Sequence, residues 1–66
     1  MKIIYDLEVD VLHLLFNNAP IEESDEDKLG IIIDYDKAGN VVGQEILDAS
    51  KRMDNPRMLD YVVSRL

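Results

Sequence analysis

The stretch from Leu29 to Leu47, LGIIIDYDKAGNVVGQEIL, constrains the fold more than any other part of the chain. Two β-branched runs flank DKAGN, and β-branched side chains suit the pleated, half-buried surface of a strand. Gly39 can take the left-handed backbone that closes a three-residue hairpin turn. Side chains alternate along a strand, so Ile31, Ile33 and Tyr35 are expected on one face and Ile32 and Asp34 on the other. On the return strand Val42 and Ile46 oppose Val41 and Leu47. Gly43 leaves a gap in the sheet surface, expected under a cross-strand aromatic such as Tyr35.

A second hairpin is expected at the N-terminus. KIIYD is a short β-rich run, DLEV supplies turn residues, and DVLHLLF runs extended. Alternation puts Ile3, Tyr5, Leu12, Leu14 and Phe16 on one face and Ile4, Val11, His13 and Leu15 on the other. An ordinary half-exposed hairpin has one clearly polar face; here both are largely apolar. Between the hairpins, NNAPIEESDEDKLG carries the acidic run Glu22–Asp27, and its self-repulsion predicts a solvated loop.

The segment after Leu47 predicts helix. Asp48 or Ser50 can cap the turn ASKRM. Asn55 as cap and Pro56 at the first helical position give a second start signal. Leu59, Val62, Val63 and Leu66 then follow i, i+3, i+4, i+7 spacing, an amphipathic stripe that would cover one sheet face. The expected fold is therefore α+β: one domain over 1–66, a small antiparallel sheet of two β-hairpins (four strands), then a C-terminal helix.

With 66 residues, the chain is near the size where folding hides only about 60% of the unfolded surface. Such domains are usually reinforced by disulfides, a metal or a partner subunit. Cysteine is absent and there is one histidine, so disulfides and thiolate or polyhistidine metal sites are excluded within one chain. Hydrophobic residues nevertheless make up 47%. Self-association, as a homodimer, is the expected reinforcement, with Ile4, Val11, His13 and Leu15 as its interface because the helix leaves one face open.

Formal charge is −7. Residues 1–48 hold 12 acids and 3 bases, and residues 49–66 hold 2 acids and 4 bases. Nucleic-acid binding draws on lysine and arginine displacing counterions, so binding DNA or RNA alone is not expected. The acidic part could steer a basic protein partner, while the charge also keeps a small apolar body in solution. No stretch approaches a membrane span and the N-terminus lacks a signal-peptide pattern, so the expected location is cytoplasmic.

With these pieces in order, MKIIYDLEVDVLHLLF and LGIIIDYDKAGNVVGQEILDASKR resemble the small prokaryotic and phage proteins grouped as domain of unknown function 2283. The matching residues are Tyr5, Asp6, Glu8, Asp10, Leu12, Gly30, Asp34, Tyr35, Asp36, Gly43, Glu45, Ile46, Leu47, Ala49 and Ser50. His13 stands where that family commonly has an aromatic, and Gln44 where it has an aliphatic, which implies a wetter sheet face. The resemblance implies an antiparallel sheet with a helix and no established activity. Relatives encoded beside small toxin-like proteins imply an antitoxin-like partner role.

Candidate chemistry is sparse. Asp34, Asp36, Glu45 and Asp48, with Lys51 and Arg52 close behind, form a candidate ligand or polar cluster around the hairpin and its exit. Its spacing fits no calcium loop, and turn-forming aspartates explain it more simply. His13 is a candidate general base or ligand, but acid–base work needs an orienting partner and a cleft. Glu8, Asp10 and Glu45 are a weaker paired-carboxylate candidate. No cofactor or metal is expected. The leading expectation is an interaction module that homodimerises or caps a basic partner. The alternative is a small metal- or ligand-binding or catalytic protein using His13 and the Asp34-Tyr35-Asp36 carboxylates.

Overall fold

The computed structural model describes residues 1–65. Five strands form one antiparallel sheet: β1 (Lys2–Asp6), β2 (Val11–Leu15), β3 (Glu23–Lys28), β4 (Ile31–Tyr35) and β5 (Val41–Leu47), followed by a four-residue helix, α1 (Ala49–Arg52). The spatial order is β1-β2-β5-β4-β3, so the last strand lies between the first hairpin and the second pair. Both expected hairpins are present, β1 with β2 and β4 with β5. Gly39 takes the left-handed backbone at φ 87° and donates to the Asp36 carbonyl at 3.0 Å.

The fold is nonetheless mostly β, with five strands rather than four and no long C-terminal helix. The acidic run expected to be a loop forms β3, pairing Glu23 with Tyr35 and Asp25 with Ile33. An edge strand needs only backbone bonds on one side, and every residue of β3 stays exposed, so its charges remain hydrated. Charge on an edge strand also blocks further strand addition. The Asn55-Pro56 signal produces a single turn: Met58 N donates to the Asn55 carbonyl at 3.1 Å, and Arg57 N to Asn55 Oδ1 at 3.1 Å. Beyond it the chain is irregular through Arg65. Short helices draw most of their stability from packing an apolar face, and Leu59, Val62 and Val63 remain exposed. Leu66, the last residue of the expected stripe, lies outside the described residues.

Register fixes the two faces. On the first, Tyr5, Leu12, Ile46 and Ile31 form one row and Ile3, Leu14, Gln44 and Ile33 the next. On the second, Ile4, His13, Glu45 and Ile32 form one row and Leu15, Gly43, Asp34 and Ser24 the next. Among the described residues no other strand or helix packs extensively across either face; the extensive packing between elements joins neighbouring strands. Val42 and Ala49 are the only buried hydrophobic residues among those described. The molecule is a plate of 34 × 33 × 19 Å. Among the described residues, no helix is long and apolar enough to cross a membrane.

Candidate functional site

A β-bulge at Val41 and Val42 shifts the β4–β5 register, setting Tyr35 opposite Val41 and Asp34 opposite Gly43. The gap at Gly43 therefore lies beside a carboxylate, not beneath Tyr35 as expected. A side chain there would place its Cβ 3.3 Å from Asp34 Oδ2 and 2.9 Å from the Leu14 carbonyl oxygen. Asp34 is 1% exposed and accepts a 2.6 Å hydrogen bond from the Ser24 hydroxyl across the β3–β4 pair. Without β3 this carboxylate would lack that donor, so the acidic strand also serves the sheet's one buried charged residue.

Glu45 projects from the same face, two residues along β5. Burial, then a hydrogen bond to Asp34, then the Asp34 charge push its pKa up to about 7. A carboxyl that is part-buried beside a second carboxyl favours its neutral form, because burial and a neighbouring negative charge both oppose ionisation. Glu45 Oε2 is buried with no donor against it, which disfavours the ionised form. His13 stands directly opposite Glu45 and Ile4 opposite His13. Glu45 can hold or release one proton near neutrality, and both carboxyls are withdrawn from solvent, Asp34 at 1% exposure and Glu45 through its buried Oε2.

The other candidates go elsewhere. Asp36 is taken up by its own turn: Oδ1 accepts from Ala38 N at 2.9 Å and Asn40 N at 2.8 Å, and Oδ2 from Asn40 Nδ2 at 3.2 Å. The Asn40 and Ala38 amides hold its carboxyl below the usual range. Asp48 is left-handed at φ 52° and caps nothing with its side chain. Nor does Ser50 accept the capping bond; it donates. Its amide and hydroxyl reach Asp10 Oδ1 and Oδ2 at 2.9 and 2.6 Å, and the Ala49 amide reaches the Asp10 carbonyl at 3.0 Å. Asp10, 40 residues away in sequence, is the group that secures α1. Tyr5 Oη also donates to it, and Ser50 followed by Tyr5 lowers its pKa.

Arg52 donates to the Leu29 carbonyl at 2.6 Å and lies against Gly30, so it clasps the β3–β4 turn rather than bridging to a carboxylate. Lys51 is exposed, and its charge helps hold Asp10 ionised. Glu8 is exposed in the first turn, where its amide is held by Asp6 Oδ1. Thus Asp34 and Glu45 come together, while Asp36, Asp48, Lys51 and Arg52 serve separate structural ends. Ile4, Val11, His13 and Leu15 do share the face that carries the carboxyl pair. Among the described residues, no group of three or more His, Cys, Asp or Glu side chains is arranged to hold a metal ion.

Sequence reasoning missed Ser24, because the run around it reads as loop, and it missed Asp10 as the distant cap. The position of Gly43 across from an inward carboxylate was the available signal, hidden by the one-residue bulge. A family model described as protein of unknown function, DUF2283, matches residues 2–50. The chain belongs to this family. The DUF2283 match begins with β1 and ends at Ser50, so it spans the sheet together with the Asp10–Ser50 clasp. No curated protein and no solved structure matches the chain.

Proposed function

We propose that this DUF2283 chain is a small interaction module that assembles with a second copy of itself through the aliphatic sheet face. The observation that carries this reading is surface area. A compact monomer of this mass exposes about 4,300 Å², whereas this chain exposes 5450 Å². The excess of roughly 1,100 Å² is comparable to the ~800 Å² that each partner buries in a standard interface. The radius of gyration, 12.9 Å, likewise exceeds the ~11 Å expected for a compact domain of this length.

The two faces differ in what covering them would require. Leu12, Leu14, Ile31, Ile33 and Ile46 make one face aliphatic across its three central strands, with Gln44 the polar exception. Sheets pack face to face by interdigitating such side chains. The face with Ile4, Val11, His13 and Leu15 carries Asp34 and Glu45 in its middle, and burying carboxyl groups is costly. The aliphatic face is the one for self-association.

Sedimentation equilibrium tests this. The wild type is expected to sediment as a dimer, and Leu14→Asp or Ile33→Asp as a folded or partly folded monomer, with Ile4→Asp affecting assembly far less. A wild-type monomer at the highest attainable concentration overturns the reading. A second reading, an antitoxin-like cap on a basic protein, is favoured by one observation: β3 presents Glu23, Asp25, Glu26 and Asp27 on an exposed edge. It expects salt-sensitive binding of a basic protein that Glu23→Arg/Asp25→Arg abolishes.

A further inference from the structure

The plate is electrically polarised from edge to edge. At one margin β3 holds four acids and one base. At the other lies the C-terminal arm, residues 55–65, with Arg57 and Arg65 against a single Asp60. Two observations place this arm beside β1: Leu59 and Tyr61 line a hollow with Met1 and Ile3, and the Arg57 charge acts on the Tyr5 hydroxyl. Ile3 and Tyr5 belong to the aliphatic face, so the arm borders that face. Leu59, Tyr61, Val62 and Val63 are each 66–80% exposed. The arm shields little of its own sheet and presents apolar side chains outward.

Two simple two-fold axes allow the aliphatic faces to meet. An axis across the strands stacks β3 on the partner's β3, setting one acidic edge against the other, and like charges brought together across an interface are strongly unfavourable. An axis along the central strand β5 stacks β1 on β3 and β3 on β1. The basic arm of each protomer then lies over the acidic edge of the other.

Resting on the self-association reading, we infer that the dimer two-fold runs along β5 and that the C-terminal arm of each copy clasps the partner's β3 edge. The arm supplies apolar side chains to the rim of the aliphatic interface, and its net positive charge lies along the acidic β3 edge of the second copy. This also accounts for the absence of a helix on its own sheet: the arm's binding surface is on another molecule.

Charge reversal with mixing tests the arrangement. One variant carries Arg57→Glu and Arg65→Glu, the other Glu23→Arg and Asp25→Arg; all four positions are exposed, and far-ultraviolet circular dichroism checks that both retain the sheet. Each variant alone is expected to self-associate on the order of tenfold or more weakly than wild type at low salt. An equimolar mixture is expected to recover wild-type affinity, with heterodimers dominating the native mass spectrum, because both trans contacts then join unlike charges. A mixture no stronger than its components, with the wild type dimeric, overturns the β5 two-fold and the clasp while self-association stands. An arm-reversed variant that dimerises as tightly as wild type does the same. A monomeric wild type removes both proposals.

Discussion

A carboxyl group set beside another carboxyl, away from water, holds its proton to higher pH than one in solution. Glu45 is such a group, with burial first and Asp34 second as the cause of a pKa near 7. Its ordinary value is 4.5, so between these limits the folded chain binds more protons than the unfolded one. Stability then falls as pH rises. The contribution is complete below about pH 4.5 and gone above about pH 7. Thermal midpoints measured across this window are expected to decline for the wild type and to stay nearly flat for Glu45→Gln; matching slopes would exclude Glu45 as the source. Asp10 acts in the opposite sense, since Ser50 and Tyr5 lower its pKa and its contribution is lost as pH falls through the acid range. Glu45 and Asp34 were legible as members of one candidate cluster, yet their separation from its other members was not. Their pairing depends on a diagonal across a glycine, and a one-residue bulge decides which side chain that glycine faces.

Within the elements, Gly43 is the position where sheet and carboxyl pair depend on each other. Gly43→Ala brings a methyl group to 2.9 Å from the Leu14 carbonyl and crowds Asp34. Overpacking of this kind costs about 1–3 kcal/mol, measurable by urea unfolding; a change near zero would mean that β2 and β5 separate easily there. The hairpins were readable because their cues are local: β-branched runs, a left-handed glycine and strict alternation. β3 was not, because ESDEDK has no apolar period, and its reason for being extended lies in the open backbone edge of β4. The expected C-terminal helix failed for a related reason. Its stripe of Leu59, Val62 and Val63 describes an apolar side without saying where the matching surface is. Asn55 and Pro56 do start a turn, and without an apolar surface against it the turn does not propagate.

For the whole molecule, a single-layer sheet with no second layer among the described residues is a poor endpoint for a chain that is 47% hydrophobic. Folding and association are therefore expected to be linked by mass action, with the thermal midpoint rising as protein concentration rises; a midpoint independent of concentration over several decades would contradict that linkage. The need for a cover was visible in composition and alternation, whereas the choice of face required the register and the place of the two carboxyls. The strand order has its own temporal implication. β5 pairs with both β2 and β4, yet it is the last strand to leave the ribosome. Until Val41–Leu47 pairs, β1–β2 and β3–β4 share no backbone ladder, and a two-stranded pair alone is marginally stable in water. Pairing of that single strand closes both edges together, so the sheet forms in one cooperative event instead of a stepwise build-up.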